Sequence, residues 1–243
     1  MNLGVTNVHK PVAEGEDNGR RYRVERFGRE GEPVIVIDAF SGRIAELEAA
    51  ARRARYSPVV GYPGLRSPLD PNYLRLGGPL LARLFTEHLG FKGNFGVEGC
   101  AFSIVATQPT DLTPVQRRPH YDGTRPDLVA TVHYTGERGS GGTAFYRHRR
   151  TGFETVQPGR AEEYEAAVKA DEAEFGPLPA EYYYGDTDRY EMIGEVEAAP
   201  DRLVAYRGWN LHSGVVPTPP PSDPDGLRKS GRLTINAFLI GQR

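Results

Sequence analysis

The residues best equipped for chemistry in this chain of 243 are its histidines and their acidic neighbours. His120 stands out, in Arg118-Pro119-His120-Tyr121-Asp122-Gly123. On extended backbone, side chains two residues apart point to one face, so its imidazole and the Asp122 carboxylate can reach one small cation. His212 lies far downstream, in Trp209-Asn210-Leu211-His212-Ser213-Gly214. A His-x-Asp pair with a remote histidine makes a 2-His-1-carboxylate set, which leaves coordination positions open and suits non-haem Fe(II) oxygen chemistry. At this point a hydrogen-bonded histidine at a turn remains an alternative for the same residues. Near the C-terminus, Gly231-Arg232-Leu233-Thr234 puts a guanidinium and a hydroxyl on one face of a strand. The arginine fork can bind both oxygens of a carboxylate, so the pair is a candidate carboxylate clamp.

The remaining histidines read as structural. His9 sits in a polar stretch and His88 at a helix end, where it complements the dipole. By strand alternation His133 points away from Tyr134, as a packing or surface residue. His148 falls among Arg147, Arg149 and Arg150, and a solvated basic turn is preferred there to an anion site. Cys100, the lone cysteine, reads as a small core residue.

The elements that must position these groups are mostly strands. Val34-Ile35-Val36-Ile37 is an apolar run of the kind found in a buried strand. Segments 100–107, 128–134, 143–147, 203–207 and 232–240 are short, β-branched or aromatic, and mostly bounded by turn residues, the layout of a jelly roll or barrel. Helices are expected over 43–55, capped by Ser41, over 79–89, stopped by Gly90, and over 160–175, which is rich in Ala and Glu. Loop 61–73 has the Gly, Pro and aromatic content of ordered structure. Loop 217–226 is too rich in Pro to pair in a sheet.

The stretch from about 100 to 240 resembles the prolyl-4-hydroxylase-like branch of the Fe(II)- and 2-oxoglutarate-dependent oxygenases. The matching signs come in family order: His120-x-Asp122, the strand ending in Tyr134, the Gly-Gly turn at 141–142, His212-Ser213-Gly214 and Arg232-x-Thr234. The resemblance implies a mainly β fold with flanking helices, a double-stranded β-helix (a cupin-like jelly roll). It implies that His120, Asp122 and His212 bind Fe(II), and that Arg232 pairs with the distal carboxylate of 2-oxoglutarate beside Thr234 and Tyr134. It implies O2 as co-substrate and hydroxylation of a C–H bond in a small molecule or peptidyl side chain, with succinate and CO2 formed. Two features depart from the pattern. The gap from His212 to Arg232 is longer than in relatives, which makes Arg228 and Lys229 competing cations. The insert 150–198 is also long, and it suggests a subgroup apart from the collagen-type and oxygen-sensing hydroxylases. Tyr62, Arg66, Tyr184, Arg147 and Trp209 are candidates for substrate contact, and Tyr182, Tyr183, Tyr184 and Tyr190, with Tyr62 and Arg66, for a lid over the metal. Two other readings use the same barrel: an isomerase or hydrolase with Zn or Mn, which has no need of a carboxylate clamp, and a non-catalytic binding module, in which an intact triad would be unexpected.

Composition bounds the rest. With 30 basic and 32 acidic residues, no electrostatic drive toward nucleic acid or anionic lipid is visible. With 29 Gly and 20 Pro, a helical bundle is disfavoured. No apolar stretch is long enough for a membrane span, and no signal-like apolar region opens the chain, so a cytoplasmic location is expected. The organisation expected is a flexible arm over 1–20 and one domain over 21–243, with helical and strand support over 21–95 and the β core over 96–243.

Overall fold

A computed structural model describes residues 11–137, 139–223, 226–227 and 231–242. His9, Arg228, Lys229 and the first half of the expected arm lie outside them.

Among the described residues, the large sheet has nine strands in the order β1-β2-β3-β10-β7-β12-β6-β5-β4. They are β1 (Ala13–Asp17), β2 (Arg20–Arg26), β3 (Pro33–Asp38), β4 (Ser57–Pro58), β5 (Gly64–Pro68), β6 (Phe95–Val105), β7 (Leu128–Tyr134), β10 (Arg202–Arg207) and β12 (Leu233–Gly241). A small sheet is ordered β11-β8-β9, from β8 (Gly142–His148), β9 (Tyr190–Glu197) and β11 (His212–Val215). Every strand pairing is antiparallel. His120 extends the small sheet by a bridge to His212. From β6 onward the chain therefore alternates between sheets: β6 in the large one, His120 beside the small one, β7 large, β8 and β9 small, β10 large, β11 small, β12 large.

The apolar runs read from sequence become central strands buried on both faces. Val34, Val36, Val132, Val204 and Tyr206 face Phe145 and Val196 of the small sheet. The alternate residues Ile35, Ile37, Val129 and Leu203 face helix α2 (Gly78–Leu89), through its Leu81, Leu84 and Phe85. Each such buried side chain contributes about 1.5–3 kcal/mol. Helix α1 (Ile44–Arg53) packs Ala51 on Phe102 and Ile235. Helix α3 (Ala161–Phe175) covers the outer face of the small sheet, with Tyr164 among Tyr146, Tyr183 and Tyr190. Gly90 ends α2 at φ 68°, and its N–H is bonded to Phe85 O, as the sequence predicts.

Several expectations change. Residues 13–17, assigned to the mobile arm, form β1 and pair with β2. Asn18 and Gly19 both have positive φ, the two-residue turn that fits the twist of a hairpin. Strand β9 lies inside the insert, and β5 inside the loop 61–73. Ser41 does not cap α1; its hydroxyl donates to Asp201 at 2.6 Å. His148 is fully buried rather than solvated, held by Asp171 at 2.7 Å and Thr151 at 3.0 Å. No helix among the described residues is long and apolar enough to cross a membrane.

Candidate metal centre and its cavity

Backbone pairing brings the three candidate ligands together. His120 and His212 exchange both N–H···O bonds at 2.9 Å, which sets their rings side by side with centroids 4.4 Å apart. The Asp122 N–H donates to Gly208 O at 2.7 Å, pinning the turn that aims its carboxylate back at the histidines. A Cβ on Gly208 would come within 2.7 Å of the Leu128 side chain, so any larger residue there must displace it. The donor atoms of His120, Asp122 and His212 all lie within 4.8 Å of one another. Tyr206 packs its ring on His212 at 4.7 Å.

The electrostatics of the three groups favour a cation. His212 donates from Nδ1 to Asn210 O at 2.9 Å, so Nε2 carries the lone pair. That lone pair faces Asp122 Oδ2 at 3.7 Å, and His120 Nε2 is 3.9 Å from Oδ1. Burial lowers the pKa of His212 to about 4. His120 also falls to about 4, through burial first and then the neighbouring His212. Its side chain is 47% exposed, but that surface opens into the cavity described below. Burial raises Asp122, against the pull of His120 and Arg66. Two imidazoles whose charged form burial disfavours and the Asp122 carboxyl therefore bring their donor atoms together at 3.7–3.9 Å, with no hydrogen bond between histidine and carboxyl. A divalent ion with nitrogen and oxygen preference fits that donor set.

The triad opens onto a cavity of about 440 Å³ between the sheets. Its floor carries Arg232, Thr234 and Asn236 on one strand face, as the alternation predicts. Arg232 donates from Nη2 to Gly142 O at 2.8 Å, while its Nε is buried without a partner among the described residues. Gly141 clears room for it: a Cβ there would sit 3.1 Å from Arg232 Nε. The Arg232 guanidinium lies 5.9 Å from the Tyr134 ring centroid. The Tyr134 hydroxyl is engaged with Thr143, a residue that lines the cavity, at 2.6 Å. An unpaired buried guanidinium nitrogen beside Thr234 fits an incoming carboxylate.

Of the substrate candidates, Tyr62 and Arg66 line this cavity, with the Arg66 guanidinium 4.3 Å from the Tyr62 ring centroid. Three others do not reach it. Arg147 is tied to Glu154 and Glu191 at 2.6 and 2.7 Å. Trp209 is buried beneath the guanidinium of Arg207, 4.9 Å from its ring centroid. Tyr184 is exposed on the surface and bonded to Glu195. Of the lid tyrosines expected in the insert, Tyr182 lines the cavity, its hydroxyl held by Thr107 O at 2.7 Å, and Tyr183, Tyr184 and Tyr190 do not. Arg118, Tyr206 and Asn236 also line it. Continuing the Arg232-x-Thr234 alternation by one step would have found Asn236, but nothing in the local sequence singles out Tyr206.

The model of a family of unknown function, DUF6445, matches residues 18–239. No curated protein matches the sequence. Among solved structures, the chain is similar to SnoN, a non-haem alpha ketoglutarate dependent epimerase from nogalamycin biosynthesis, at 14% identity and a TM-score of 0.47, over 86% of this chain and 79% of that one. It is similar to AviO1 from Streptomyces viridochromogenes Tue57 at 17% identity and a TM-score of 0.45, over 88% and 90%. A Pseudomonas putida prolyl-4-hydroxylase aligns at 16% identity and a TM-score of 0.45, over 87% and 94%.

Proposed function

We propose that this chain, which belongs to the DUF6445 family, is an Fe(II)- and 2-oxoglutarate-dependent oxygenase acting on a C–H bond of a small molecule or peptidyl side chain. The observation that carries this reading is the convergence of His120, Asp122 and His212 within 4.8 Å at one wall of a cavity that also holds an unpaired arginine nitrogen. The alternation of the chain between two sheets from β6 to β12 supports the finer assignment of a double-stranded β-helix.

In this reading His120, Asp122 and His212 hold Fe(II), and 2-oxoglutarate occupies the floor. Together the two supply oxygen activation and hydrogen abstraction, with succinate and CO2 as co-products. The protein's own contributions are positional. Asn210 O keeps the proton of His212 on Nδ1, leaving Nε2 free to ligate. Arg232 and Thr234 receive the distal carboxylate and so fix which end of the keto acid faces the triad. Ala130, Val132, Tyr206 and Phe238 form an apolar wall that limits water at the reacting centre. A hydrolytic metal enzyme would have no use for the clamp at Arg232, which weighs against that alternative.

The test is spectroscopic and chemical. Anaerobic addition of Fe(II) and 2-oxoglutarate should give a weak visible charge-transfer band, absent in His212→Ala, and air should then yield succinate. Absence of both band and succinate from the native protein refutes the proposal.

A further inference from the structure

The charges lining the cavity do not balance once its reactants are in place. Apart from the imidazoles, the charged lining groups among the described residues are Arg66, Arg118, Arg232 and Asp122. A divalent ion and Arg232 together offset Asp122 and the two carboxylates of 2-oxoglutarate. Arg118 is compensated by Glu165, whose Oε2 it meets at 3.1 Å. Arg66 is left over. It forms no ion pair among the described residues, and its Nε is buried without a hydrogen bond.

Position separates Arg66 from the clamp at Arg232. In the sheet Arg66 pairs with Ser103, which pairs with Thr234, so Arg66 stands two strands away from β12 on the same face. Its charge acts on His120, Asp122 and Tyr62, and that of Arg232 on Tyr62, Tyr134, Tyr182 and Tyr206. Arg66 and Arg118 are thus the cations on the ligand side of the cavity, and of the two Arg118 is already paired with Glu165. Stacking on Tyr62 restricts the Arg66 guanidinium and leaves the edge nitrogens available. Two exposed apolar side chains line the cavity as well. Val60 is fully exposed at the rim and Val115 is 56% exposed, and both line the same cavity.

The geometry points to a substrate that carries one carboxylate on an apolar body, the carboxylate received by Arg66 and the body by Val60 and Val115. This assignment rests on the oxygenase reading of the site. It concerns a second anion, distinct from 2-oxoglutarate, and it sets which part of the substrate is anchored and which part is presented to the triad.

The test uses Mn(II)-loaded full-length protein saturated with 2-oxoglutarate, titrated calorimetrically with hexanoate and with its neutral analogue hexanamide. Hexanoate should bind at least about tenfold more tightly than hexanamide, the weight of one charge-assisted contact. Arg66→Gln should erase that preference, Arg66→Lys should restore part of it, and 2-oxoglutarate affinity should change little in either. Equal binding of acid and amide to the native protein overturns the assignment, and needs no variant to fold. Loss of 2-oxoglutarate rather than hexanoate binding in Arg66→Gln also overturns it, by making Arg66 part of the keto-acid site. Retention of the acid preference in Arg66→Gln overturns it by moving the carboxylate onto the metal. Failure of Mn(II) or 2-oxoglutarate to bind the native protein is a separate result, which refutes the oxygenase reading and this inference with it.

Discussion

Replacing Arg232 by Gln separates the keto-acid clamp from the metal ligands. Arg232 touches none of His120, Asp122 or His212; its side chain donates to Gly142 O and leaves Nε unpaired. A hydrogen bond between a guanidinium and a carboxylate is worth about 1.5–3 kcal/mol, so its loss should weaken 2-oxoglutarate binding by about 10- to 100-fold. Losing the bond to Gly142 O should cost about 0.5–1.5 kcal/mol of stability, small enough to leave a folded protein. Calorimetry with Mn(II) and 2-oxoglutarate measures both affinities in one sample. Mn(II) affinity should stay within a few-fold of the native value while the keto acid is lost. Arg232→Lys keeps the charge without the fork and should fall between the two. Unchanged 2-oxoglutarate affinity in Arg232→Gln would refute the assignment, and a matching loss in Arg228→Gln or Lys229→Gln would move the clamp to that residue.

Three further outcomes are expected. Mn(II) at 100 times its dissociation constant should raise unfolding stability by about 2.7 kcal/mol, and Asp122→Ala should abolish the rise in a thermal melt. Asp201 has its pKa lowered from 3.8 to about 2: burial would raise it, but hydrogen bonds from His133, Ser41 and Gly42 prevail. A folded-state value below the unfolded one stabilises above the unfolded pKa and is lost as pH falls toward the folded one. Asp201 should therefore supply about 2 kcal/mol at neutral pH that disappears between about pH 4 and 2, and Asp201→Asn should flatten that part of the stability curve in urea titrations. Gly208→Ala should push Leu128 and the Asp122 turn apart, costing more free energy of Mn(II) binding than of folding; a larger loss in folding free energy would count against a role in aiming the ligand.

What the sequence makes legible here is whatever a single strand or turn decides by itself. His120 and Asp122 share a face because they are two residues apart, and Arg232, Thr234 and Asn236 share one for the same reason. The apolar run at 34–37 announces a central strand because nothing polar interrupts it. Residues 13–17 read as part of an arm because they are polar, whereas pairing, not burial, holds β1 in place. Groups that meet only across strands are not legible in this way. Arg66, Ser103, Thr234 and Tyr134 form one row because β5, β6, β12 and β7 are neighbours in that register, and no local pattern encodes the neighbourhood. The same blindness explains the misplaced candidates: Trp209 sits three residues from His212, but the turn between them sends it to the far side, under Arg207. Arg147 fails for a different reason. Its strand is central in the small sheet, and a guanidinium at that depth is retained because Glu154 and Glu191 neutralise it. A charged residue in a buried strand is thus informative only once its partner is known, and the partnered Arg147 and the unpartnered Arg66 are told apart by tertiary structure alone.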